Sequence, residues 1–387
     1  MDKFKPLMEA HEFHDKLLEG RLTRRQAHAV LASAGVGTAA MATGAGSARA
    51  DGTNVMMLTW GGYDDPAFAS EYAAEFGSPP SYSLFADQAE ALAKIRAGFD
   101  ADVAFPCISK IQTWNDAGVI APMDLSMLSH WDELLPALTT LPTANTPDGA
   151  PLFAPIDWGQ TSVLFRADLA PEYVDNQTWG ILWDEKYAGR LGAIEAVEDH
   201  YNIAAIYMGI DFLDMNQEEI QLVGDKLREQ IPLLRMVTGD TTSLTQALFS
   251  GELIATSAWN GMILTASQEM EQQGTQGQYV WMKPKEGALT WVCGLTISPT
   301  TKDRGTWEQA HALINAYLAA DSQNYELTNW GYGVANAKAY DGVSEEYLTS
   351  IGLGLPVEDF LADGAFSAHQ QHYGEIVNLY DEILAGM

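Results

Sequence analysis

Three acids stand close together in AIEAVEDHYN: Glu195, Glu198 and Asp199, where a strand-like apolar run gives way to a helical one. Carboxylates there can cap a helix near the positive end of its dipole. They can also supply the counter-charge of a cationic ligand whose other faces meet aromatic rings, each ring adding roughly 0.5–2 kcal/mol by cation–π attraction. Such rings recur after apolar runs: Trp60 and Tyr63 in TWGGY, Trp158 beside Asp157 in PIDWG, Trp259 in TSAWNG, Trp291 in LTWVCG and Tyr332 in NWGYGVAN. One aromatic residue is best read as core, but several at strand ends describe the wall of a cleft. Gly61 and Gly62 fit this picture, because glycine weakens a strand interior. They mark a sharp turn that leaves Trp60 and Tyr63 to face a solute.

Other chemistries find less support. The chain has no G-x-S-x-G, H-E-x-x-H, C-x-x-C or G-x-x-x-x-G-K-[ST] pattern. The pair His11/His14 lies in or before the leader stretch, and His369/His372, without a nearby carboxylate or cysteine cluster, reads as a surface pair. No metal and no cofactor is therefore expected. An exported enzyme would need a general base, for which Asp157 and His200 are the candidates. A binder of anions or chelated metals would need basic or Tyr/His ligands in the cleft. The formal net charge is −31, and without residues 1–50 the balance is 14 basic to 47 acidic residues. Such a surface repels phosphate, so nucleic acid is excluded as a partner. Only Cys107 and Cys293 are present; they are expected as two separate buried thiols, since a disulfide would need their Cα atoms within about 7 Å.

The elements that must position these residues follow from periodicity. Residues 1–50 read as an export leader: Arg24-Arg25 resembles a twin-arginine signal, and Ala48-Arg49-Ala50 a cleavage site. From residue 54 the chain alternates strand and helix through NVMMLT, DDPAFASEYAAEF, SYSLF, QAEALAKIRAG, ADVAFP and SKIQTWNDAG. That pattern predicts a parallel sheet covered by helices. A second α/β series begins after the Pro-rich interval 136–155, and GALTWVCGLTISP reads as a strand returning to the first unit. In open α/β sheets ligands sit beyond the carboxyl ends of strands, where these aromatics fall.

The ordered segments TWGGY, ADVAFP, TWGILWDEKYAGRLGAIE, SGELIATSAWNG, YVWMKPKEGALTWVCGLTI and WGYGVANAKA resemble the periplasmic spermidine/putrescine-binding proteins of bacterial ABC importers, over nearly all of residues 54–387. The resemblance implies an α/β, two-lobed periplasmic binding protein fold of type II with two crossovers. Lobe one would comprise 51–156 and 292–340, and lobe two 157–291 and 341–387. It places ligand positions at Trp60, Tyr63, Cys107, Ser109, Ala196, Asp199, Trp259, Trp291, Cys293 and Tyr332. It also implies a monomer in the periplasm that hands its solute to a permease. Of three amine-pairing acids only Asp199 is kept, with Asp157 and Glu198 as candidates to compensate. Burying an unpaired ammonium is costly, so a small solute with one cationic centre is expected.

Overall fold

The computed structural model describes residues 55–386, apart from 87, 355–356, 358–360 and 362–364. The expected leader, residues 1–50, lies outside the described residues. Strands β1 (Met56–Trp60), β2 (Ser81–Phe85) and β3 (Val103–Ala104) are parallel, with β1 in the middle. They are linked by helices α1 (Ser70–Phe76) and α2 (Gln88–Arg96), and α3 (Ile111–Asp116) follows β3. Helix α1 starts later than DDPAFASEYAAEF suggests. The Asp65 carboxylate accepts from Ala67 N at 2.9 Å, and consecutive turns carry the chain from Gly62 to Ala69. Such local side-chain bonding competes with helix formation.

Two long strands join the lobes. β4 (Ala154–Arg166) runs antiparallel to β9 (Leu289–Ile297), from Ala154 opposite Leu295 to Thr161 opposite Leu289. The far end of β9 pairs with β3, and the far half of β4 with β7 (Ala255–Trp259). β7 continues into β5 (Leu191–Ile194) and β6 (Leu234–Thr238), both parallel to their neighbours. The sheet order is β2-β1-β3-β9-β4-β7-β5-β6. Three short strands complete it: β8 (Tyr279–Trp281) and β10 (Gly333–Val334) on β4, and β11 (Ala365–Phe366) on β9.

Helices α4 (Val197–Met208), α5 (Gln217–Gln230), α6 (Thr241–Phe249) and α7 (Asn260–Gln273) precede β9; α8 (Trp307–Leu318), α9 (Ala320–Trp330), α10 (Glu345–Ser350) and α11 (Tyr373–Ala385) follow it. Asn216 starts α5 with a capping box closed by Glu219. One apolar core gathers Phe68, Phe105, Trp114, Phe153, Trp158 and Tyr317, with Leu348 and Leu353 also in it. A second contains Trp179, Tyr201, Val223 and Leu379, and a third Leu244, Leu248, Met262 and Ile263. Between them β4 is buried along almost its whole length, yet its middle reads Asp157-Trp-Gly-Gln-Thr-Ser162. Buried polar groups need partners, and those partners define the site.

Candidate functional site

Side chains alternate along a strand, so Asp157, Gly159 and Thr161 share one face of β4. At one end, Asp157 is 1% exposed and lies against Glu326 of α9, which is 0% exposed. The Tyr63 hydroxyl donates to Glu326 Oε1 at 2.8 Å and to Asp157 Oδ2. A single hydroxyl proton cannot serve both carboxylates at once. Burial pushes both acids upward, Glu326 well above the ordinary glutamate range, so that the pair retains a proton. The retained proton lets the two carboxyls hydrogen-bond each other directly.

In the middle, Gly159 lets the Trp291 ring lie against the strand. A Cβ there would fall well inside contact distance of the indole, as the pairing of Gly159 with Trp291 requires. Trp291 meets Tyr332 edge-on at 5.1 Å between centroids, Tyr332 meets Trp330 at 6.4 Å, and Trp330 meets Tyr63 at 4.8 Å. Gly62, at φ +98°, brings the opening turn onto this row: a Cβ would lie 3.0 Å from Trp330. Gly61 has open space around it. Trp60 packs on Phe85 at 4.5 Å and stays partly exposed, whereas Tyr63 is buried.

At the other end, Thr161 donates its hydroxyl proton to Asp199, and the Trp259 indole bonds the same carboxylate. Asp199 lies in the first turn of α4, near its positive end. Burial nonetheless dominates and raises its pKa to about 6, against the lowering by Thr161, with Glu198 adding repulsion. Trp259 and Tyr332 both line a cavity of about 120 Å³ beside α6 and α7.

The remaining predicted residues lie elsewhere. Ser109 donates to Glu198 Oε2 at 3.1 Å, and the adjacent Lys110 forms an ion pair with Glu198 while its ammonium stands 3.4 Å above the Tyr373 ring. The expectation of two free thiols is overturned. Cys107 and Cys293 form a disulfide across an antiparallel bridge, with Cα atoms 3.8 Å apart. The pairing of β3 with β9 brings them together, and both pack with the first core. His200 is buried with its ring nitrogens 3.1 Å from Tyr380 Oη and 2.6 Å from Gln230 Oε1; desolvation lowers its pKa to about 4.

Sequence reasoning missed Glu326, Trp330 and Thr161. The first two had a signal: spaced four apart on α9, they share the helix face that ends at the WGYG loop.

The bacterial extracellular solute-binding protein family matches residues 81–350 of this chain. The chain belongs to that family. Spermidine/putrescine-binding periplasmic protein 1 of Haemophilus influenzae is 23% identical over 373 residues, covering 95% of this chain and 97% of the relative. A putrescine-binding periplasmic protein of Escherichia coli is 23% identical over 335 residues, covering 84% of this chain and 89% of its own length. Among solved structures, a putative spermidine/putrescine ABC transporter from Listeria monocytogenes superposes with a TM-score of 0.72 at 20% identity, covering 86% of this chain and 99% of the other. The fold is thus the two-lobed periplasmic binding protein fold that the sequence implied. No helix among the described residues is long and apolar enough to cross a membrane.

Proposed function

We propose that this solute-binding protein carries a small amine or cationic organic solute to the permease of a bacterial ABC importer. The observation that carries the reading is Asp199: a buried carboxylate, oriented by Thr161 and Trp259, at the edge of a row of rings. A cation supplies what desolvation has made costly there, a counter-charge, while the rings offer it their faces. The names of the relatives, which bind spermidine and putrescine, support the same solute class.

In this proposal the ligand-binding residues are Trp60, Tyr63, Asp157, Asp199, Trp259, Trp291 and Tyr332. Cys107, Cys293 and Ser109 shape the cleft from its lobe-one side. Lobe one takes 51–156 and 292–340, and lobe two 157–291 and 341–387. The lobes close on the solute by bending at β4 and β9. The chain acts as a periplasmic monomer, exported by a twin-arginine-like leader, and performs no catalysis. Consistent with that last point, both nitrogens of His200 are occupied by partners and its burial keeps the ring neutral.

A thermal-shift screen over polyamines, quaternary ammonium compounds, amino acids and phosphonates tests the reading, because a solute preferring the native state raises the melting temperature. The amine class should produce the largest rise, and Trp259→Ala should abolish it without loss of the folded state. A rise confined to phosphonates would refute the proposal.

A further inference from the structure

The cavity that Trp259 and Tyr332 line holds no charged side chain; its polar lining comes from Thr241, Thr242, Thr245 and Gln246 of α6 and Thr265 of α7. The hydrogen bonds of these groups set what they offer. Thr245 donates its hydroxyl proton to Thr241 O at 2.8 Å, and Thr265 donates to Gly261 O at 3.2 Å. Each oxygen therefore keeps lone pairs for a donor in the cavity, while the Gln246 amide offers a donor and an acceptor. A second ammonium here would meet no carboxylate in the lining, whereas a hydroxyl or amide finds neutral donors and acceptors there. At about 120 Å³ the space has room for several water-sized groups.

We infer that this cavity is a subsite for an uncharged tail of the solute bearing hydroxyl or amide groups, so that the preferred ligand is a hydroxylated amine rather than a plain diamine. The cationic head pairs with Asp199, which Trp259 touches. The tail extends past Trp259 and Tyr332, whose faces meet its C–H groups while Thr245, Thr265 and Gln246 take its polar atoms. The inference rests on the proposed amine-binding role of Asp199 and adds the chemistry of the other end.

The test is calorimetric titration of the full chain at pH 8 with two six-carbon probes, 1-amino-1-deoxyglucitol and hexane-1,6-diamine. The amino alditol is expected to bind at least tenfold more tightly. In Thr245→Val and in Gln246→Leu that ratio should fall at least fivefold. A merely structural role would weaken both probes alike and leave the ratio unchanged, which would overturn the inference. Gln246 is exposed, so its variant remains informative if Thr245→Val folds poorly. A diamine that binds as tightly as the alditol would overturn the tail subsite while leaving the amine reading intact. If neither amine binds and a non-amine solute raises the melting temperature instead, the amine reading falls, and the subsite with it.

Discussion

Asp199→Asn is expected to move solute affinity and fold stability in opposite directions. Burial raises the carboxyl from 3.8 to about 6 despite its bonds from Thr161 and Trp259. That difference corresponds to about 3 kcal/mol, at roughly 1.4 kcal/mol per pKa unit. The folded-state value lies above the unfolded one, so between about pH 4 and 6 the folded chain holds a proton that the unfolded chain has released. The stability linked to Asp199 is therefore complete below about pH 4 and is lost as pH rises through about 6. Asparagine keeps an acceptor for Thr161 and removes the charge. The solute-free variant should melt a few degrees higher than the parent at pH 8.

A bound ammonium needs the ionised carboxylate and competes with the proton. Parent affinity should be flat above about pH 7 and should fall towards tenfold per unit below about 6. Removing one member of a buried charge pair costs about 2–5 kcal/mol, so the variant should bind at least about 30-fold more weakly at pH 8, with its pH dependence largely gone. Calorimetric titration from pH 5 to 8, with scanning calorimetry of the solute-free proteins, reads both effects. Parent affinity independent of pH over that range, or a variant that binds as the parent does, would refute the assignment. A variant less stable than the parent at pH 8 would refute the desolvation argument itself.

Glu326→Gln should also stabilise the solute-free fold at pH 8, because it removes a buried acid beside Asp157 and keeps an acceptor for Tyr63; thermal melts at pH 5 and 8 should show the gain only at the higher pH. Gly159→Ala should displace the Trp291 ring, cost about 1–3 kcal/mol from overpacking and abolish solute binding, checked by urea unfolding and titration. Thiol labelling of denatured protein should find no free cysteine until reductant is added, and Cys107→Ser with Cys293→Ser should cost about 2–4 kcal/mol in the same unfolding assay. Lys110→Ala removes a partly buried ion pair to Glu198 of α4 and a cation–π contact to Tyr373 of α11; if the proposed closure brings these elements together, solute should leave several-fold faster in stopped-flow displacement.

The first lobe was legible because its signals are local. Short apolar runs between helical stretches gave β1, β2 and β3, and the returning strand was visible in GALTWVCGLTISP, now β9. The disulfide was not legible, since it depends on the register of β9 against β3 across a separation of 186 residues, which neither strand's pattern encodes. Glu326 escaped for a different reason. In ADSQNYELTNW it has the company of an exposed helix face, and only the packing of α9 against Asp157 and Tyr63 reveals it as buried.

The strand that unites these parts also constrains what the site can recognise. Asp157 and Thr161, the anchor of Asp199, are four residues apart on β4, or about 13 Å at roughly 3.3 Å per residue. One crossing strand thus fixes the separation of the Asp157–Glu326 pair from the Asp199 centre, with the Gly159–Trp291 contact between them. The closure proposed above would alter what approaches from Trp60, Trp259 and Tyr332 far more than that spacing. Charge placement therefore follows from strand geometry, and discrimination among solutes falls to the rings and to the neutral groups beside them. This is why variants along β4 should destroy binding, whereas those in α6 should change preference.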